Sequence, residues 1–327
     1  MTYRVAVAGA TGNVGRAMLE ILAARDFPVA RLDALASARS VGVALPFGDA
    51  EVQVAALEAH DFSDTDIALF ACGSGATAEH APRAAESGCV VIDNSSLYRM
   101  ESDVPLVVPE VNGAALADFK RRNIIANPNC STAQLVVALK PLHDIAPIVR
   151  VVVATYQSVS GAGQAAMQAL RDETAEGENA EATASRIAFN VVPQIGDMQA
   201  DGITGEERKM AVETQKILGA PVALTASCVR VPVFIGHSEA VNVAFAAPIS
   251  PEDACAALAS APGVKLVETG YITPRECAGD DAVFVSRIRR DPTIEHGLDM
   301  WVVSDNLRKG AALNAVQIAE ALARDHL

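Results

Sequence analysis

Cys130 stands where a cysteine can act as a nucleophile. A short β-branched strand over residues 124–126 leads into an Asn-Pro-Asn turn, and the apolar run 135–142 that follows has helical length and good helix formers. Cys130 is therefore predicted at a helix N-terminus, where unpaired N–H groups and the helix dipole stabilise a thiolate. Asn129 and the first N–H groups of the helix can then face an oxyanion on an attacked carbonyl. The alternative is a buried cysteine that packs as a small apolar residue.

Three polar residues of the second half lie on or beside predicted strands. Gln157 follows a strand over residues 149–156 and can orient a carbonyl group. Arg230 and His237 flank an apolar segment, and His237 is predicted on a strand over residues 231–246. A histidine beside a thiolate can move a proton in thioester chemistry, although a strand histidine is more often structural.

Glu206 and Lys209 are three residues apart on a predicted helix. Thr204 and Glu207 form a capping box that begins this helix, which we expect to run to Leu218. The local sequence favours a surface ion pair between Glu206 and Lys209. In the functional alternative, the two charges meet the opposite charges of a zwitterionic substrate.

The first residues of the chain predict a dinucleotide site. A strand over residues 5–8 is followed by glycines at positions 9, 12 and 15 and then by a helix over residues 16–24. This spacing permits a tight turn, close approach of a pyrophosphate, and close packing of helix on strand. The same spacing also fits a glycine turn that only packs, but the strand–helix context favours a cofactor.

The next strand, over residues 31–36, indicates which dinucleotide binds. An NAD site usually places an acidic residue at the end of this strand, but Asp33 lies in its middle. The strand ends instead in Ser37, Arg39 and Ser40, which suit the 2′-phosphate of NADP. A solvated loop arginine is the alternative.

Further strands and helices alternate up to residue 128, so the first half is predicted to form a parallel sheet. Ser74 lies in a glycine-flanked loop after the strand 66–72, where ligands of such sheets bind. Arg99 follows the strand 89–93 and either contacts a phosphate or forms a surface ion pair.

Composition narrows the class of protein. The chain has 327 residues, enough for two domains, with half of them hydrophobic and a net charge of −14. This charge argues against nucleic acid or an anionic membrane as a partner. The six cysteines show no C-x-x-C pair, and no apolar run reaches a membrane span, so we expect no metal and a reducing cytoplasm. The acidic stretch 176–184 is predicted to be exposed.

Six motifs in the same order give the chain a whole-length resemblance to the aspartate-β-semialdehyde dehydrogenases. They are the segments 9–15 (GATGNVG), 37–40 (SARS), 127–132 (NPNCST), 156–161 (YQSVSG), 205–210 (GEERKM) and 230–237 (RVPVFIGH).

The resemblance implies a role for each matching residue. Cys130 is the acyl-forming nucleophile and His237 the general acid/base. The substrate is held by Gln157, Arg230, Glu206 and Asn129, and its phosphate by Arg99 and Lys209. NADP is contacted by Gly9, Thr11, Gly12, Asn13, Val14, Ser37, Arg39, Ser40, Ser74, Ser160, Gly161 and Asn306.

The resemblance also implies an architecture and a reaction. The fold class is α/β, with a Rossmann-type NADP-binding domain (1–128 and 306–327), an α+β catalytic and dimerisation domain (129–305), and a last helix that returns to the first domain. The reaction is NADPH-dependent reductive dephosphorylation of aspartyl phosphate to aspartate semialdehyde, in biosynthesis of Lys, Met, Thr and Ile, by a homodimer or homotetramer.

Three alternatives share parts of this pattern. N-acetyl-γ-glutamyl-phosphate reductase uses the same thioester chemistry, but its substrate amine is acylated and leaves Glu206 without a cation. A non-catalytic NADP-binding paralogue would be expected to lack the cysteine or the histidine. Glyceraldehyde-3-phosphate dehydrogenase is disfavoured by the Arg39 loop and the glycine spacing.

Overall fold

The computed structural model describes residues 1–178 and 186–327, which form two compact units. The first comprises Met1–Asn129 and Ala311–Leu327, and the second comprises Cys130–Gly310. The predicted exposed stretch 176–184 begins at the last residue of a helix, and its residues 179–184 lie outside the described ranges.

The elements are numbered along the chain. The strands are β1 (Tyr3–Ala8), β2 (Val29–Ala36), β3 (Ala44–Phe47), β4 (Ala50–Ala56), β5 (Ile67–Phe70), β6 (Val90–Asp93), β7 (Ile124–Ala126), β8 (Ile148–Gln157), β9 (Ala223–Arg230), β10 (His237–Phe245), β11 (Val264–Val267), β12 (Val283–Arg290) and β13 (Gly297–Ser304). The helices are α1 (Asn13–Ala24), α2 (Gly73–Glu86), α3 (Pro109–Asn112), α4 (Cys130–Ile145), α5 (Gln164–Glu176), α6 (Gly205–Leu218), α7 (Pro251–Ser260), α8 (Pro274–Cys277) and α9 (Leu313–Asp325).

The first unit is built on a sheet of order β3-β4-β2-β1-β5-β6-β7. All neighbouring strands from β4 to β7 run parallel, as predicted, and β3 adds an antiparallel edge. The last helix, α9, packs with α1 in the core of this unit, so its predicted return to the first domain is confirmed. Burial of each large apolar side chain contributes about 1.5–3 kcal/mol to this packing. The sheet thus holds the β1–α1 glycine turn at its carboxyl edge.

The second unit is built on a mixed sheet of order β11-β12-β13-β10-β8-β9. Strands β8 and β9 are parallel, and β10 runs antiparallel to both β8 and β13. Helix α4 packs against this sheet and against α6, which also packs on β9. The capping box of Thr204 and Glu207 begins α6 as predicted, and Gly219 ends it in a left-handed conformation.

Two predicted elements differ from the observed ones. The strand predicted over 231–246 begins only at His237, because Pro232 has no N–H to donate and Gly236 turns the chain with φ of +97°. The predicted loop around Ser74 is instead the first turn of α2, which begins at Gly73 and is separated by two residues from the end of β5 at Phe70.

Glu239 is a fully buried carboxyl on the helix-covered face of the second sheet. Within the described ranges, neither of its carboxyl oxygens has a hydrogen-bond partner. Burial raises its pKa well above the usual value, while the nearby Gln134 amide opposes that shift. Burial therefore favours the neutral, protonated form of this carboxyl in the folded chain.

We expect Glu239→Gln to gain stability relative to the wild type as the pH rises. Above the ordinary pKa of 4.5, the unfolded chain releases this proton while the folded chain keeps it. The wild type therefore becomes less stable as the pH rises, and its unfolding equilibrium constant increases by up to about tenfold per pH unit. Glutamine does not titrate, so the denaturation midpoint of the variant, measured between about pH 5 and 8, should move upward relative to wild type.

Thr155→Val is the matched control, because Thr155 lies opposite Glu239 in the β8–β10 register and does not titrate. Its midpoint should differ from the wild type by a constant amount over the same pH range. A constant offset for Glu239→Gln as well would contradict the assignment of a neutral buried carboxyl.

Candidate active site

Three strand ends in the second unit bring the predicted polar residues into one row. Arg230 is the last residue of β9 and lies beside Gln157, the last residue of β8. His237 is the first residue of the antiparallel β10, whose next residue, Ser238, pairs with Tyr156. Arg230, Gln157 and His237 therefore share one edge of the sheet, although His237 was predicted inside a longer strand.

Cys130 is the first residue of α4, which is the predicted helix N-terminus. Its backbone packs closely on Gly310, where an added Cβ would lie 2.8 Å from the Cys130 Cβ. The next residue, Ser131, accepts a hydrogen bond from the Gln157 amide, which ties α4 to the end of β8. The cysteine is half-buried, unlike the apolar packing that the alternative interpretation requires.

Arg230 places a positive charge close enough to interact with the Cys130 thiol. Its Nη1 donates to the Ser158 carbonyl at 2.5 Å, which fixes the guanidinium over the end of β8. Burial lowers the pKa of Arg230, whereas the neighbouring Cys130 and Glu206 favour its charged form. This guanidinium can stabilise a thiolate or bind a carboxylate.

Glu206 is buried in the site and is only 8% exposed. One carboxylate oxygen accepts from Gln157 at 3.3 Å and the other accepts from Lys209 at 3.2 Å. The predicted pair of Glu206 and Lys209 is therefore present, but the favoured surface location is wrong for Glu206. A buried carboxylate with this orientation can bind a cation in the cleft.

His237 is fully buried, and its two ring nitrogens have different surroundings. Its Nδ1 accepts a hydrogen bond from the Ser158 backbone N–H at 3.1 Å, and the Ser158 Oγ also lies 3.1 Å away. Among the described residues, its Nε2 has no partner. Burial, and then the Arg230 charge, lower the pKa of His237 to about 3, while Glu206 opposes the shift. The imidazole is neutral at neutral pH.

Ser160, Gly161 and Asn306, predicted as cofactor contacts, lie beside this histidine. Asn306 Oδ1 accepts from the Gly236 N–H at 2.9 Å and from the Ser158 hydroxyl at 3.0 Å. Its Nδ2 donates to the Ser160 Oγ at 2.9 Å. The side chains of Ser160 and Asn306 therefore help to hold the segment around His237 in place.

The sequence analysis missed Ser158 and Gln134. Gln134 donates to the His237 carbonyl at 3.3 Å and accepts from Ser304 at 2.6 Å. The signal for Ser158 was its place between Gln157 and Ser160 in one motif, whereas nothing local in the sequence marks Gln134 or Ser304.

The first unit contains a cradle suited to a pyrophosphate. Gly9 has φ of +84°, and a Cβ there would lie 2.4 Å from the Ala71 carbonyl oxygen. A Cβ on Gly15 would lie 2.2 Å from the Gly9 oxygen, so both positions require glycine. Gly12 caps α1 without a side chain, and Thr11, Asn13 and Val14 complete the turn. The residues present thus fit a bound dinucleotide.

Residues after β2 fit the phosphate of NADP. Ser37, Arg39 and Ser40 form a short turn at the carboxyl end of β2, beside β1. Arg39 is exposed and has no ion pair within the described part of the chain. Asp33 has a different role, because its carboxylate forms an ion pair with Arg31 at 3.0 Å. Arg39 is thus an exposed cation beside two serines at the carboxyl end of β2.

Two further candidates lie at the carboxyl edge of the same sheet. Ser74 contacts Ser96, with their hydroxyl oxygens 3.4 Å apart. Arg99 is buried and donates to the carbonyls of Asn94 and Asn127, at 2.9 Å each. A surface ion pair, one of its two predicted roles, is therefore wrong.

Two other kinds of site were sought in the described residues. They contain no group of three or more His, Cys, Asp or Glu side chains arranged to hold a metal ion. None of the helices over these ranges is both long enough and apolar enough to cross a membrane.

Two family models match the chain. A model for the NAD-binding domain of semialdehyde dehydrogenases matches residues 4–119, and a model for their dimerisation domain matches residues 139–309. Together they cover both units and confirm the predicted two-domain α/β fold with a nicotinamide dinucleotide site.

Similar proteins share this arrangement over their full length. The aspartate-semialdehyde dehydrogenase of Aquifex aeolicus is 51% identical over 100% of both chains, and that of Shewanella violacea is 50% identical over 99% of this chain and 98% of its own. The structure of aspartate semialdehyde dehydrogenase II from Vibrio cholerae complexed with ASA has a TM-score of 0.98 at 49% identity, with 100% of both chains covered. The enzyme with NADP from Candida albicans has a TM-score of 0.78 at 26% identity and 99% coverage of both. The chain belongs to the aspartate-semialdehyde dehydrogenase family, as its six motifs predict.

Proposed function

We propose that this chain reduces L-aspartyl 4-phosphate to L-aspartate 4-semialdehyde with NADPH and releases phosphate, through a thioester on Cys130. The reverse reaction oxidises and phosphorylates the semialdehyde. The observation that carries the proposal is the placement of Cys130 at the start of α4 together with Arg230, Gln157, Glu206 and His237 in one unit.

Substrate recognition follows from the charges of the site. The planar guanidinium of Arg230 matches the α-carboxylate of the substrate, and the buried Glu206 carboxylate pairs with its α-ammonium group. Lys209 and Arg99 are proposed to bind the phosphate. An N-acetylated glutamyl substrate has no ammonium group, so it would leave Glu206 buried without its cation.

The reaction begins at the sulfur of Cys130. Its thiolate, stabilised by the α4 N-terminus and by Arg230, attacks the acyl carbon, and phosphate leaves as the thioester forms. Asn129 and the first N–H groups of α4 face the oxygen that gains charge. Gln157 holds the carbonyl in place, and His237 presents Nε2 to the reacting oxygen. NADPH, when bound, supplies the hydride that reduces the thioester carbon.

We assign cofactor binding to residues 1–128 and 306–327, and catalysis and dimerisation to residues 129–305. The compact units Met1–Asn129 with Ala311–Leu327 and Cys130–Gly310 support this division, although residues 306–310 cluster with the second unit. The match to a dimerisation domain supports an oligomer, which we propose to be a homodimer or a homotetramer. Six free cysteines, one of them reactive, suit a reducing cytoplasm, where we place the enzyme.

Aspartate semialdehyde should reduce NADP in the presence of this protein and phosphate, and omission of phosphate should stop steady turnover. Cys130→Ala should lower the rate by at least about 10³-fold, because no other group can carry the acyl intermediate. NADPH binding, measured by fluorescence titration, should be unchanged in the variant.

Cys255→Ala is the control, since Cys255 lies on α7 outside the site. It should keep full activity. Sustained turnover by Cys130→Ala would contradict the thioester mechanism, and reduction of NADP by N-acetylglutamate semialdehyde instead would favour the alternative enzyme.

Arg39→Ala should reduce the preference for NADP over NAD by about 10- to 100-fold, because the 2′-phosphate loses a charge-assisted contact of about 1.5–3 kcal/mol. The measurement is the ratio of kcat/KM for the two cofactors. Arg121→Ala removes the same charge from an exposed arginine of the same unit that pairs with Asp118 at 2.9 Å, and it should leave the ratio unchanged. An unaltered ratio in Arg39→Ala would mean that other residues bind the 2′-phosphate.

A further inference from the structure

The surroundings of His237 determine which ring nitrogen carries the proton. A backbone N–H can only donate, and the Ser158 N–H points at Nδ1 from 3.1 Å. Nδ1 must therefore present a lone pair. Since a neutral imidazole has one N–H, that hydrogen lies on Nε2.

A chain of polar side chains strengthens the same arrangement. The Asn306 amide donates to Ser160 Oγ at 2.9 Å, Ser160 Oγ lies 3.1 Å from Ser158 Oγ, and Ser158 Oγ lies 3.1 Å from Nδ1. The single proton of the Ser158 hydroxyl is shared between Nδ1 and Asn306 Oδ1, which lies 3.0 Å away, so this hydroxyl adds to the backbone donor at Nδ1 without replacing it. Asn306 is held in turn by the Gly236 N–H at 2.9 Å.

The other ring nitrogen lies beside Gly161. Nε2 has no partner among the residues described, although His237 is fully buried. A Cβ on Gly161 would lie 3.4 Å from Nε2 and 3.7 Å from the Arg230 Nη1, so this glycine is next to both groups. Nε2–H is thus the ring hydrogen that a substrate oxygen bound beside Gly161 and Arg230 would meet.

We propose that Ser158 is a positioning residue that holds His237 as the Nε2–H tautomer, so that the neutral imidazole enters the reaction as a hydrogen-bond donor and not as the base for Cys130. This inference rests on the proposed function. It deepens that proposal by giving His237 the donor role of a general acid/base and not the proton-accepting role.

The chemistry of the thioester route is compatible with a donor. When the thioester carbon is reduced, its oxygen gains negative charge, which Nε2–H stabilises. That oxygen then re-forms the carbonyl double bond, and the carbon–sulfur bond breaks with its electron pair returning to Cys130 as a thiolate. Neither step moves a proton onto Nδ1. The thiolate is stabilised by Arg230 and the α4 N-terminus, which replace a base.

The charged groups around the ring agree with this role. Arg230 on β9 disfavours a positive imidazolium and Glu206 on α6 favours it, but burial and Arg230 prevail and lower the pKa of His237. The Gly236 backbone also favours protonation. The His237 imidazole therefore remains neutral throughout the physiological pH range and can act as a hydrogen-bond donor.

The test is a long-range ¹H–¹⁵N spectrum of the full-length protein with ¹⁵N-labelled histidine, recorded from about pH 6 to 8.5. The chain has six histidines, and loss of one signal set in His237→Asn assigns His237. We expect an acceptor-type Nδ1 and a protonated Nε2 over the whole range. A protonated Nδ1, or a doubly protonated ring at pH 7, would overturn the proposal whether or not the enzyme is active.

Ser158→Ala keeps the backbone donor and removes the hydroxyl 3.1 Å from Nδ1, so the Nδ1 resonance of His237 in the same spectra should shift toward that of an imidazole nitrogen with a single donor. Ser304→Ala is the matched control, because it removes an equally buried hydroxyl that binds Gln134 and not the ring. It should leave the ring signals unchanged. Equal responses of the two variants would show that Ser158 has only a structural role.

Discussion

The register of three strands is the constraint on which the site depends. Because β9 and β8 are parallel and β10 is antiparallel to β8, Arg230 and Gln157 end their strands where His237 begins its own. One sheet edge thus carries a cation, an amide and an imidazole. A slip of one residue in β10 would turn His237 to the opposite face of the sheet and replace it with Ser238.

The same edge receives the start of α4. The Gln157 amide contacts both Ser131 on α4 and Glu206 on α6, so one side chain connects the strand to two helices. The close approach of Gly310 to Cys130 fixes the first turn of α4 from the other side. These contacts keep the sulfur half-buried beside Arg230. Buried polar groups cost free energy when they lack hydrogen bonds. The polar groups around His237 find their hydrogen-bond partners mainly in Ser158 and Asn306.

Local patterns in the sequence predicted local structure well. The glycine turn at Gly9, the start of α4 at Cys130 and the capping box at Thr204 each depend on neighbouring residues, and the structure has all three. The hairpin of β3 and β4 and the helix α7 were missed, because their short segments lack a clear apolar period. The predicted strand 231–246 was too long, since its Val and Ile content outweighed Pro232 and Gly236.

Contacts between distant residues could not be predicted from local patterns. Ser158 and His237 are 79 residues apart, and Asn306 is 148 residues from Ser158. Glu206 and Lys209 were predicted as neighbours from their spacing, yet the burial of Glu206 results from Gln157 on another element. The resemblance to a family suggested roles for His237, Asn306, Glu206 and Lys209, but none for Ser158. It did not supply the tautomer of His237, which follows from the donor on the Ser158 backbone.

Rapid-quench mass spectrometry of the protein mixed with NADP and aspartate semialdehyde, without phosphate, tests the central role of the sulfur most directly. The account predicts that the peptide containing Cys130 gains the mass of an aspartyl group, and that added phosphate removes it. An unmodified Cys130 during turnover, or an acyl group on another of the six cysteines, would contradict it.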